Sequence, residues 1–193
     1  MVAELIISAV KTRVALSSNH NHSTIETLKN RLTVNNTLFV QNENGFTGEM
    51  GFEWREPASD LEIKKFEIQH NIILPADFKK FLKISNGAIL FKDIQYGQWG
   101  CKIYGLDEII DISNHVKDWG YELKPEWIVF ATWLGDCDIL IFDLTKSKNG
   151  INHYIIDGEQ GEEVGDWINI KGNFEKWIDR LIVAQGAKYW RWY

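Results

Sequence analysis

Three stretches hold residue types able to do chemistry or recognition: Asp136-Cys137-Asp138 with Asp143, the acidic run from Asp157 to Asp166, and the aromatic run 189–193. Alternate residues of a strand share a face, so the carboxylates of Asp136 and Asp138 can converge. A convergent pair of that kind suits divalent-metal or acid–base hydrolysis. The competing reading is a hairpin turn with solvated acids, and it is favoured because turns prefer aspartate. Cys137 has no base beside it in sequence; His115 or His153 would have to arrive by folding before it could act as a nucleophile. A core thiol is the preferred reading of Cys137.

The acidic run contains Asp157, Glu159, Glu162, Glu163 and Asp166 around Gly158 and Gly161, with no lysine or arginine interleaved. Its glycines resemble a phosphate loop only superficially, because five carboxylates repel a phosphate. Two readings stand side by side: a solvated loop, or an acidic patch that meets a basic protein. Residues 189–193, Tyr-Trp-Arg-Trp-Tyr, place Trp190 and Trp192 beside Arg191, residue types enriched at interface hot spots. Packing back onto the domain is preferred, since an exposed aromatic tail invites aggregation. Asn19-His20-Asn21-His22 holds the letters of a nuclease motif, but the segment is polar and lacks neighbouring ligands for a closed metal site. No catalytic residue, metal or cofactor is assigned.

Composition bounds the rest. The 193 residues make one substantial domain with room for a small appendage, and need no staples. A net charge of −6 argues against nucleic acid and suits a basic partner. The nine tryptophans read mostly as core. Cys101 and Cys137 show no CxxC spacing and read as two buried thiols in a reducing cytoplasm. No signal peptide is evident, and no apolar run reaches the roughly 20 residues that span a bilayer. The expectation is a cytoplasmic protein that engages neither membrane nor nucleic acid.

The elements that must position these residues follow from periodicity. Residues 3–16 carry apolar positions at helical spacing, and 17–22 read as a linker. Ser23-Thr24-Ile25-Glu26 is a capping box opening a helix to about residue 32. Strands are predicted at 38–40 and 46–54 around a turn at 42–45. Ser59-Asp60-Leu61-Glu62 repeats the capping box before a helix that Asn71 closes. Further strands fall at 88–91, 101–104, 127–132, 138–143, 152–156 and near 167–170, with a helix at 107–115. Asn173 caps a final helix whose Phe174, Trp177, Ile178, Leu181 and Ile182 form an apolar stripe ended by Gly186. Helices grouped around an antiparallel meander make an α+β fold.

The chain is organised around residues 74–87. Pro75 suits a first helical turn, and Asp77 places negative charge near the positive helix end. Phe78, Phe81, Leu82 and Ser85 share one face. Asn86-Gly87 is expected to stop the helix as a left-handed cap. This run, with Glu67 before it, resembles the signature of the SUKH superfamily, which contains fungal Smi–Knr cell-wall regulators and many bacterial toxin-immunity proteins. The resemblance covers about 57–183. It implies a SUKH-like α+β domain over 56–193, preceded by an N-terminal helical and hairpin extension over 1–55.

What the resemblance implies is a non-catalytic immunity protein that binds and neutralises a cognate toxin with a basic surface, a nuclease for example. The alternatives are a Smi–Knr-like regulatory adaptor and a metal-dependent hydrolase using Asp136 and Asp138. The candidate partner-binding residues are Asp136, Asp138, Asp157, Glu159, Glu162, Glu163, Asp166, Trp190 and Trp192.

Overall fold

The computed structural model describes residues 20–41, 45 and 47–192. The helix expected over 3–16 lies outside the described residues, as does most of the turn at 42–45. Eight strands form one antiparallel sheet in chain order: β1 (Thr37–Gln41), β2 (Thr47–Trp54), β3 (Ala88–Asp93), β4 (Gly100–Ile103), β5 (Trp127–Leu134), β6 (Ile139–Asp143), β7 (Ile155–Gly158) and β8 (Ile168–Ile170). Among the described residues six α-helices accompany it: α1 (His20–Arg31), α2 (Asp60–His70), α3 (Ala76–Leu82), α4 (Ile109–Asp118), α5 (Leu144–Lys148) and α6 (Phe174–Val183). The α+β expectation holds. The β1–β2 hairpin belongs to the same sheet as the other six strands.

Because every strand pairs with its neighbour in sequence, the β3–β4, β5–β6 and β7–β8 connections all emerge at one end of the sheet. The long connections that carry α2 to α5 leave from the other end. These short connections and the helix-bearing ones are thereby separated.

β5 is buried on both sides, which explains its unbroken apolar run Trp127–Phe130 followed by Ala131, Thr132 and Trp133. α4 packs on it, and Ser113 Oγ accepts a hydrogen bond from Val129 N at 2.8 Å. The register slips between Val129 and Ala131, so Phe130 sits in a bulge. Its ring stacks on Phe142 at 3.8 Å and meets Trp177 edge-on at 5.4 Å. α1, α3 and α6 pack against one another, bringing Phe78 among Phe81, Phe130, Phe142 and Phe174 at centroid separations of 5.0–6.1 Å.

Three caps form as the sequence predicts. Ser59 and Glu62 make a complete capping box at α2, and Asn71 closes that helix in the left-handed conformation. Asn173 accepts from Lys176 N at the start of α6. Two others differ. α1 begins at His20, so Ser23 lies inside the helix rather than at its cap, and 20–22 are helical rather than linker. α3 ends at Leu82, with Ile84 N and Ser85 N both reaching Phe81 O. Gly87 is not the cap of α3. Its φ of +98° lets the chain pass Gly105, whose N would lie 2.9 Å from a Cβ at residue 87.

Asp77 lies in the first turn of α3, as read, and also serves a second helix. Its carboxylate is buried and accepts the Tyr154 hydroxyl at 2.6 and 2.7 Å and Glu175 N at 3.0 Å. Tyr154 Oη in turn accepts Phe174 N at 3.0 Å. Both groups thus satisfy otherwise unpaired N–H groups at the start of α6. Burial and the neighbouring carboxylate push the Tyr154 hydroxyl far above its ordinary value, so it stays a donor. Tyr154→Phe is expected to lower stability by about 2 kcal/mol, the scale of a hydrogen bond to a charged group. Urea unfolding checks this, and an unchanged midpoint would remove the bridge from the stabilising interactions.

Candidate functional site

At the loop end of the sheet, the β5–β6 hairpin turns through Gly135 (φ 103°) and Cys137 (φ 61°). The carboxylates of Asp136 and Asp138 do converge, and what lies between them is the ammonium of Lys188. Asp138 is 6% exposed. Burial disfavours its charge, but hydrogen bonds from Lys188 and Gln160 N and the charges of Lys188 and Arg191 outweigh this, holding the carboxyl below the usual carboxylate range. Asp143, grouped with this pair in the sequence, caps α5 by accepting Lys146 N at 2.9 Å. Cys137 is exposed, which corrects the core-thiol expectation; Cys101 is buried, and desolvation drives its thiol well above the ordinary value. Among the described residues no group of three or more His, Cys, Asp or Glu is placed to hold a metal ion.

The acidic run divides. Asp157 is 2% exposed on β7 and is not a solvated loop residue. It accepts Trp190 Nε1 at 2.7 Å and the Arg191 guanidinium at 2.6 and 2.8 Å in a bidentate pair. Arg191 also reaches Asp138 at 2.8 Å and Glu159 at 3.3 Å. Burial works against its charge, yet these acids raise the guanidinium above its ordinary value. A cation missing from the acidic run in sequence therefore arrives by folding, as Arg191. Glu159, Glu162, Glu163 and Asp166 remain exposed.

Of the aromatic run, Trp190 packs back onto the domain, as preferred. Trp190 lies against Trp133 at 5.8 Å and Trp177 at 6.4 Å. Trp192 remains 48% exposed. It borders a groove of about 620 Å³ whose apolar lining includes Val40, Met50, Phe91 and Trp99, with Lys188 and Arg191 along one side. Sequence reasoning passed over Trp99 and Tyr96 as loop residues. Their exposure, 38% and 70%, was signalled only by aromatic types beside Gly97 and Gly100.

Charge is concentrated at this end. Segments 93–100, 134–138, 157–167 and 184–192 hold eight of the 27 acidic residues and two of the 21 basic ones, leaving nineteen of each elsewhere. The chain's whole excess of −6 therefore belongs to these segments. Among the described residues no helix is long and apolar enough to cross a membrane.

Comparison with known proteins matches residues 57–180 to the model of the SMI1 / KNR4 family (SUKH-1). An uncharacterized Bacillus subtilis (strain 168) protein, YnaB, is 34% identical over 139 residues, spanning 72% of this chain and 86% of its own length. A second uncharacterized protein of that strain, YobM, is 29% identical over 179 residues, spanning 91% of this chain and 93% of its own. The run from Leu74 through the buried Phe78 and Phe81 to Gly87 lies within the matched region. On this match, carried through the antiparallel α+β core, the chain belongs to the SMI1 / KNR4 family (SUKH-1).

Proposed function

We propose that the chain is a non-catalytic binding protein, an immunity protein that captures a cognate toxin in the cytoplasm and blocks it sterically. The toxin presents a basic surface, as a nuclease cleft does. The observation carrying this reading is the charge distribution: the segments at the loop end hold the whole net charge, while the rest of the chain is balanced. A fold-wide need for solubility would not require that concentration. A localised acidic field raises encounter with a basic surface and disfavours nucleic acid.

The test is co-expression with the product of the adjacent gene. Survival of a cell bearing that toxin, with co-purification of the two chains, supports the reading. Death with both proteins present and folded overturns it. The kinetic prediction is that Glu159→Lys, Glu162→Lys and Glu163→Lys together slow association about tenfold at low salt, as loss of steering does. Added salt should narrow the difference, because the Debye length shrinks to about 3 Å at 1 M. Folding should change little, since these side chains are exposed and a surface ion pair such as Glu159–Arg191 contributes only about 0–1 kcal/mol. Association that ignores both salt and charge reversal would remove the acidic rim from the binding face.

A further inference from the structure

We infer that the groove beside Trp192 receives an extended basic segment of the protein partner. An arginine or lysine lies over the Trp192 ring, and a flanking aliphatic side chain lies against Met50 and Phe91. This rests on the binding-protein reading above and adds the docking site and the chemistry of the docked segment.

Shape is the first observation. At about 620 Å³ the groove has room for a few side chains, and its floor is apolar. The floor is built under strain: Phe91, in β3, has φ 54°, an unusual conformation for a bulky residue. Its ring packs onto Gly186, where a Cβ would come within 2.6 Å. Strained residues of this kind persist only when their surroundings hold them, and they concentrate at ligand-binding positions.

Charge is the second. The two cations along the groove are already committed, Lys188 to Asp136 and Asp138, and Arg191 to Asp138, Asp157 and Glu159. They therefore present no net positive field to an incoming group. Asp93 lines the groove too, and Glu162, Glu163 and Asp166 lie on the β7–β8 connection at the same end. A cation is attracted here, and a phosphate is repelled. Aromatic type is the third. Trp192 offers a half-exposed ring and Tyr96 projects from the neighbouring loop. Such rings hold cations over their faces and supply hot-spot contacts.

The experiment uses fluorescence anisotropy with three labelled decapeptides on the full chain: alternating Arg–Leu, alternating Arg–Ser and alternating Glu–Leu. The Arg–Leu peptide should bind about tenfold tighter than Arg–Ser, and Glu–Leu should not bind, if apolar and cationic contacts act together. Trp192→Ala and Met50→Lys should each weaken Arg–Leu binding about tenfold. Thermal unfolding of each variant verifies that it is folded, and Met50→Lys keeps the test valid should Trp192→Ala unfold. Equal binding of Arg–Leu and Arg–Ser, no binding at all, or insensitivity of folded protein to both variants overturns the groove assignment. Peptide binding without protection from the toxin removes the immunity reading and leaves the groove. Protection without peptide binding removes the groove and leaves the immunity reading.

Discussion

Phe78→Ala is expected to destabilise the protein by about 3–5 kcal/mol, the range for truncating a fully buried phenylalanine. The ring is 0% exposed and touches aromatic rings from α3, β5, β6 and α6. Its removal opens a cavity where helix and sheet layers meet, and neighbours fixed in edge-to-face contacts have little freedom to collapse into it. Phe81, equally buried and adjacent to Phe174 at 5.4 Å, should behave alike. Phe39→Ala is the control: that side chain is 68% exposed, and its loss should stay within about 0.5 kcal/mol. Urea unfolding of the three variants checks the ordering. A Phe78→Ala midpoint equal to that of Phe39→Ala would remove α3 from the organising position given to it.

The second large effect belongs to Arg191. Arg191→Met leaves Asp157, 2% exposed, without its bidentate partner and Asp138 without one of its two cations. An uncompensated buried carboxylate costs about 3–5 kcal/mol. Arg191 itself is 23% exposed, so water entering beside it should hold the loss near the lower end, about 3 kcal/mol. Adding Asp157→Asn should recover part of that loss, because the partners couple. The same cluster gives a pH signature. Asp138 has a folded value below the ordinary carboxylate value, so its stabilisation is fully present above about pH 4 and is lost as pH falls toward the folded value. Urea midpoints measured from pH 6 down to pH 3 should show this loss in the wild type, and Lys188→Met should diminish it. Equal acid sensitivity in both would separate Asp138 from the effect.

Sequence reading succeeded at several local features, though the equally local Ser23 cap and Gly87 stop did not form. The Ser59–Glu62 box, the left-handed Asn71 and the Asn173 cap each involve residues within a turn of one another, and they formed. The apolar stripe of α6 and the β5–β6 pair were legible for the same reason. What remained hidden depends on partners far along the chain. Asp77 meets Tyr154 and Glu175, 77 and 98 positions away. Lys188 meets Asp136 at a separation of 52, and Arg191 meets Asp157 at 34. The Asp136–Asp138 pair converges as the strand reading expected, but from the turn between β5 and β6 rather than from a strand. Strand alternation says nothing about which cation would stand between them. α5 was missed because Asn149-Gly150 reads as a turn, whereas Asp143 had already opened a short helix just ahead of it.

The one-ended arrangement of hairpin connections bears on how such a protein can diverge. Each of those connections joins strands that are already adjacent, so lengthening it alters closure entropy and little else. Doubling a loop costs only about 0.6 kcal/mol. The helix-bearing connections have no such latitude, since residues such as Ser85, Asp77 and Tyr154 tie them into the core. On the binding-protein reading proposed above, exchanging the β3–β4, β5–β6 and β7–β8 connections as cassettes between relatives is the expected way to change the partner. The 188–191 segment has to be exchanged with them, because Lys188 pairs with Asp136 and Arg191 with Glu159 of those connections.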